Sequence, residues 1–288
     1  LLVELRVLRH SIELCLEFIS ITRRTVSEDL TESLLFAATL NANTSHLDAH
    51  IESSRSWAMF TPDFPPGQRR PIRISRLSDS LGIPRQTARM KANSLSATGW
   101  AMMINHGLVI RSDGFLFEPG MAGLGAYLGS AKRFVIRAAD DGVCGLLPGE
   151  SLVEPPFRAG WLVLRLSTNH VLQTLYALRT ALGCGSLTTD FVLLGMIHET
   201  GSEDGDKRSI SASELARRLE LPRETVRRHI ITLERQERIG RHAGGFLLNP
   251  DLTSSTALLA AASGLRNGLS RAVRRLRDCD ALGPALVP

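Results

Sequence analysis

"LELPRETVRR", Leu219 to Arg228, has a near-copy in "LGIPRQTARM", Leu81 to Met90. The two begin 138 positions apart in a chain of 288. A repeat distance close to half the length divides the chain into two related halves. Working outward, "PIRISRLSDSLGIPRQTARMKANSL" from Pro71 aligns without gaps to "SISASELARRLELPRETVRRHIITL" from Ser209. Ile72, Leu77, Leu81, Pro84, Arg85, Thr87, Arg89 and Leu95 fall on Ile210, Leu215, Leu219, Pro222, Arg223, Thr225, Arg227 and Leu233.

The second copy carries the clearer local signals. Ser211 or Ser213 can cap a short helix, with Glu214 in its first turn, where the helix dipole favours a carboxylate. Leu215 and Leu219 lie on one face, and Pro222 suits the first position of a new helix. Val226, Ile230 and Leu233 then face inward, which turns Arg223, Glu224, Arg227 and Arg228 outward. Two short helices joined by a tight turn, the second bearing outward arginines, form a helix-turn-helix pattern. A Gly-containing hairpin is expected after each: "RSDGFLFEP" from Arg111 in the first half and "RHAGGFLLNP" from Arg241 in the second. On this reading the first half carries an insertion, "MMINHG", before its hairpin.

The remaining segments follow one order in both halves. A long amphipathic helix with Leu5, Leu8, Ile12, Leu16 and Ile19 on one face matches one near Trp161 to Leu182. "LTESLLFAATLNAN" from Leu30 matches "LTTDFVLLGMIHET" from Leu187. The breaker-rich loops "TPDFPPGQRRP" and "GSEDGDKRS" follow. A closing helix carries Met121, Leu124, Leu128, Ala131 and Val135 in one half. In the other it carries Leu258, Ala262, Leu265, Leu269, Val273 and Leu276. "DDGVCGLLPGESLVEPPFRAG" between the halves has a linker's Gly and Pro content.

Both halves resemble the winged helix-turn-helix domains of bacterial transcriptional regulators, most closely those of the MarR and IclR type. The resemblance covers Pro71 to Pro119 and Ser209 to Pro250, about a third of the chain, and is sharper in the second copy. It implies a mainly α fold with small β-wings: two winged-helix domains related by internal duplication and joined through long flanking helices. The first half is expected at 1–140, with its winged helix at 71–119. A linker follows at 141–160, then the second half at 161–288, with its winged helix at 209–250. The implied function is sequence-specific binding of double-stranded DNA as a transcriptional regulator. Each second helix would enter the major groove. The expected contacts are Arg85, Gln86, Thr87 and Arg89 on one head. On the other they are Arg223, Glu224, Thr225, Arg227 and Arg228, with Arg241 and His242 on the wing. The exposed positions Gln86, Met90 and Lys91 of one head stand where the other has Glu224, Arg228 and His229. The Arg-richer second head is therefore expected to dominate an asymmetric site read by an intramolecular pseudo-dimer. The apolar first helix leaves homodimerisation open. The flanking helices leave room for a small-molecule effector, though no residue announces one. A tandem winged-helix adaptor of a chromosome-segregation or replication complex is the alternative.

Other classes find less support. A net charge of +5 and a pI near 9.4 favour a polyanionic partner. Cys15, Cys144, Cys184 and Cys279 form no CxxC pair, which argues against zinc or a disulfide framework. "LLVELRVLRHSIELCLEF" does not read as a signal peptide. Arg165, His170 and Arg179 interrupt the most apolar later stretch, so no membrane span and a cytoplasmic, nucleoid-associated protein are expected. "GLGAYLG" at Gly123 has nucleotide-loop spacing but no βαβ context, and close helix packing explains it better. "HLDAH" offers His46 and His50 without a third metal ligand. With no catalytic triad or carboxylate pair identifiable by spacing, neither an enzyme nor a cofactor is expected.

Overall fold

The computed structural model describes residues 2–59, 69–105, 107–153, 159–183, 185–200, 209–242, 244–253 and 255–284. The fold is mainly helical, with three small antiparallel strand pairs among the described residues. The loops "TPDFPPGQRRP" and "GSEDGDKRS" lie mostly outside the described residues, as do Cys184 and Ala243.

Backbone contacts group the chain into two compact units: Leu1–Leu16 with Gln173–Arg266, and Glu17–Leu172 with Asn267–Pro288. Each draws residues from both 1–140 and 161–288. The larger unit holds the first copy of the repeat and the smaller unit the second.

In the larger unit, the last part of α1 (Leu2–Thr25), from Glu17 on, runs into α2 (Leu30–Thr44), and α3 (Ile51–Ser56) follows. The first module is α4 (Ile74–Leu81), α5 (Arg85–Ala97), β1 (Ala101–Ile104) and β2 (Gly107–Ile110). Leu77, Leu81, Ala88, Ala92 and Leu95 are its buried side chains. Two of these are alanines, and aromatic rings add bulk elsewhere in the unit. Phe36, Trp100, Phe115 and Trp161 stack edge-on or tilted in a chain, with centroids 5.4 to 6.2 Å apart. Asn43, fully buried, ties α2 to the hairpin. Its amide donates to the carbonyls of Arg70 (2.8 Å) and Leu108 (3.1 Å), and its oxygen accepts from the Ile110 N–H (2.8 Å).

The unit continues with α6 (Glu118–Asp140), β3 (Glu150–Leu152) and the start of α7 (Gly160–Leu182). Part of the expected linker is therefore ordered: β3 pairs antiparallel with β6 (Leu282–Pro284). "GLGAYLG" lies inside α6, not in a strand-to-helix turn. A Cβ at Gly123 would strike the Thr25 side chain, so close packing is the reason for that glycine. Met121 departs from its expected inward position and is exposed, while Leu124, Leu128, Ala131 and Val135 are buried.

The smaller unit contains α8 (Leu187–Thr200) and the second module: α9 (Ala212–Arg218), α10 (Arg223–Arg235), β4 (Ile239–His242) and β5 (Gly245–Leu248). The short α11 (Pro250–Thr253) and the start of α12 (Thr256–Asp278) follow. Ser211 caps α9 by accepting from the Glu214 N–H at 3.1 Å, which settles the choice between Ser211 and Ser213. Pro222 sits one residue earlier than expected, at the N-cap of α10 with ψ 133°; Pro84 does the same before α5. Leu215, Leu219, Val226, Ile230 and Leu233 are buried as the spacing requires. Gly195 on α8 leaves room for them: a Cβ there would lie 2.8 Å from Leu219.

The two modules coincide element by element at the 138-residue offset, and further than the sequence reading carried it. The hairpin of the first module is "AMMINHGLVI", Ala101 to Ile110, not "RSDGFLFEP". Met102 to Ile104 of the supposed insertion belong to β1, and its Gly107 opens β2. The glycine cue misled because Gly114 serves packing: a Cβ there would meet the Trp100 ring at 2.8 Å. Gly107 and Gly245 hold the same place at the start of the second strand of each hairpin. A Cβ on Gly107 would hit Pro71 at 2.6 Å, and one on Gly245 would hit the Ile210 carbonyl at 2.5 Å. Each hairpin gains a third short edge, Ile72 bridging Leu108 and Ile210 bridging Phe246. The closing helices α6 and α12 keep the same offset.

The helix-turn-helix turn needs a left-handed residue. The first module supplies Gly82 (φ 60°), and the second holds Glu220 there at φ 53°. A side chain in this conformation costs about 1–2 kcal/mol, partly offset by glycine's larger unfolded-state entropy. Glu220→Gly is therefore expected to stabilise the second module by about 0.5–1 kcal/mol. Urea unfolding would show a raised midpoint at unchanged slope. A lowered midpoint would mean that the carboxylate's own contacts outweigh the strain.

Candidate nucleic-acid interface

The outward face of each second helix follows from its buried face. With Ala88, Ala92 and Leu95 inward, α5 presents Arg85, Gln86 and Arg89 to solvent, with Thr87 half-buried. With Val226, Ile230 and Leu233 inward, α10 presents Arg223, Glu224, Arg227 and Arg228, with Thr225 half-buried. Arg241 and His242 are exposed on β4.

Two of the positions compared as exposed are turned to a neighbouring helix instead. Lys91 is mostly covered and pairs with Asp29 at 2.8 Å and Glu32 at 3.8 Å, at the start of α2. Its counterpart His229 shares a 2.9 Å hydrogen bond through Nδ1 with the Thr189 hydroxyl, at the start of α8. Burial, reinforced by the Arg228 charge, keeps this imidazole below its ordinary pKa range. Both residues brace the second helix against its unit and are not free to read DNA.

The arginines of the second module are largely engaged by its own glutamates. Arg227 grips Glu224 with two bonds, Nε at 2.9 Å and Nη2 at 2.7 Å. The Arg227 fork, with lesser help from Arg228 and Arg223, holds the Glu224 carboxyl below the usual range. Arg217 and Arg218 both donate to Glu214, at 2.6 and 2.8 Å, and hold its carboxyl down at about 2. Arg218 also meets Glu199 at 2.6 Å. On the wing, Arg241 donates to Glu234 at 2.7 Å and lies over the Phe246 ring, 6.0 Å from its centroid. Exposed pairs of this kind contribute about 0–1 kcal/mol. They do not lock the side chains, but they do cancel charge.

The first module is different. Arg73, Arg76, Arg85 and Arg89 are exposed and have no acidic partner among the described residues. Arg73 occupies the N-cap position of α4, without a side-chain capping bond, and Arg76 lies in its first turn. Neither was singled out from the sequence, although the aligned pair "ISRL" and "ASEL" already places Arg76 against Glu214.

Outside the two modules, α12 also turns Arg271 and Arg274 to solvent, in the run "RAVRRLRD", which reads as a solvated helix face more readily than as an extra DNA contact. In the larger unit, Thr25, Trp100, Arg111, Phe117 and Gly120 help to line an open groove of about 460 Å³. Its arginine is already committed, with Arg111 Nε donating to Asp113 at 3.0 Å. In the smaller unit a void of about 10 Å³, the size of one water, is lined by Arg179 and Asp190. Burial pushes the Asp190 carboxyl up to about 6, against the opposing pull of Arg179. "HLDAH" serves structure: Asp48 binds the buried Arg165. No group of His, Cys, Asp or Glu among the described residues could hold a metal ion. No single described helix is long and apolar enough to cross a membrane. In comparisons with known proteins, no family model, no curated protein and no solved structure matches the chain.

Proposed function

We propose that the chain binds double-stranded DNA through two winged helix-turn-helix heads and acts as a transcriptional regulator in the cytoplasm, on the nucleoid. One observation carries this reading. Two modules of identical element order, at a constant 138-residue offset, each turn an arginine-bearing helix face to solvent beside a hairpin. The constant offset from the helix pair through the closing helix supports internal duplication and deepens the resemblance to MarR-like regulators. Duplication within one chain frees the heads to diverge, so the preferred DNA site should be asymmetric. In ordinary homodimeric regulators it is palindromic.

Selection of bound duplexes from a random pool tests the reading. A motif should emerge. The joint change of Arg223, Arg227 and Arg228 to Ala should relax it at one or more base positions, each bidentate guanine contact contributing about 1–3 kcal/mol of discrimination. An unchanged motif in this variant would remove α10 from the interface.

The second reading, a tandem winged-helix adaptor of a chromosome-segregation or replication complex, draws on the Arg–Glu pairing of the second module. A surface that balances its own charge also suits a protein partner. An empty selection and a flat salt response would favour it.

A further inference from the structure

We infer that the two heads divide the work: the first anchors the chain on DNA phosphates, and the second discriminates base sequence. This rests on the DNA-binding reading and reverses the expectation that the Arg-richer second helix dominates affinity. The counts of basic residues hide the difference. From Pro71 to Leu95, Arg73, Arg76, Arg85, Arg89 and Lys91 stand against Asp79 alone. From Ser209 to Leu233, Arg217, Arg218, Arg223, Arg227 and Arg228 stand against Glu214, Glu220 and Glu224. At the positions of those three glutamates the first head has Arg76, Gly82 and Gln86. One charge is reversed and two are removed.

Local helix physics points the same way. Acids at a helix start complement the dipole, and the second head has them: Glu214 in the first turn of α9 and Glu224 in that of α10. The first head has none in the first turn of α4 or α5. It places Arg73 at the N-cap of α4 and Arg76 and Arg85 in the first turns of α4 and α5, adding positive charge where each helix already carries it. That arrangement disfavours the isolated fold and favours an anion held outside it, such as a run of phosphates. Such a local conflict belongs at a binding surface.

The second head suits base reading. A carboxylate repels phosphate, so Glu224 at the start of α10 is a liability for anchoring. It is an asset for selectivity, because Glu can accept from cytosine N4 while Arg reaches guanine O6 and N7. The Arg227–Glu224 pair sets a donor and an acceptor side by side on the exposed face. Met90, exposed where the second head has Arg228, offers no charge and no hydrogen-bond donor.

The test uses the full chain and two labelled duplexes, one enriched from a random pool and one scrambled to the same composition, titrated by anisotropy from 50 to 200 mM salt. Joint change of Arg73, Arg76, Arg85 and Arg89 to Gln should lower the log–log salt slope by about 3–4 for both duplexes. The preference between them should persist. Glu224→Gln should keep or steepen the slope, since it releases arginines, and should erase much of the preference. Circular dichroism checks that the variants remain folded. If removing Arg223, Arg227 and Arg228 cuts the slope as much as the first-head change, the division of work is wrong while DNA binding stands. If the unaltered chain binds neither duplex in a salt-dependent way, the DNA reading fails and this inference with it.

Discussion

Affinity of the chain for its selected duplex should fall by roughly 10³–10⁵ between 50 and 200 mM salt. This follows from exposed arginines on both modules, which together could neutralise on the order of 6–10 phosphates. Arg73, Arg76, Arg85, Arg89, Arg223 and Arg228 have no acidic partner among the described residues to give up first, whereas Arg227 and Arg241 must exchange Glu224 and Glu234 for phosphate. That exchange is inexpensive at the surface. The net charge of +5 adds long-range attraction that salt also screens. A plot of log affinity against log salt gives the slope directly. A slope near zero would leave the basic faces without phosphate partners and move the chain to the adaptor reading.

The sequence disclosed the repeat, and with it the helix pair, because the deciding features are local. Leu215, Leu219, Val226, Ile230 and Leu233 keep helical spacing, and Ser211 is a capping residue at a boundary. Long-range features stayed hidden. The first hairpin was misplaced because a glycine cue does not say whether the missing Cβ serves a turn or a neighbour. Gly114 serves Trp100, and Gly107 serves the close approach of Pro71. β3 was read as linker because its partner β6 lies far along the chain. Lys91 and His229 looked exposed because a single helix has no record of what packs beside it. Their partners, Asp29 with Glu32 and Thr189, come from another helix in each case.

The site was legible in position more than in charge balance. Arg223, Arg227 and Arg228 face outward as their register requires. What no register gives is the pairing of Arg227 with Glu224, or the lack of acid partners around Arg73 and Arg76 among the described residues. Counting arginines favoured the second head; locating the glutamates favours the first as the anchor.

Asp48→Ala should destabilise the larger unit by about 3–5 kcal/mol, the characteristic cost of stranding a buried charge. Arg165 is 1% exposed. Its guanidinium donates from Nη2 to Asp48 Oδ1 at 2.8 Å, from Nε to the same carboxylate at 3.2 and 3.3 Å, and from Nη1 to the Trp57 carbonyl at 2.6 Å. Without Asp48 the Trp57 carbonyl remains, and one carbonyl dipole cannot balance a full charge in a site without water access. Arg165→Met should cost less. It strands Asp48, which is 17% exposed at the side chain and can recover some hydration. The double change should regain most of the loss, because an apolar side chain of similar length replaces the pair in one step. Trp57, Trp100 and Trp161 all belong to the larger unit, so tryptophan fluorescence during urea unfolding reports on that unit alone. If Asp48→Ala shifts this transition by less than about 1 kcal/mol, as an exposed ion pair would, then the Arg165 charge is reached by solvent. The pair would then hold nothing together. If the double variant is as unstable as Asp48→Ala alone, the loss comes from the Asp48 turn and its bond from Ser54 Oγ (3.3 Å), not from the stranded charge.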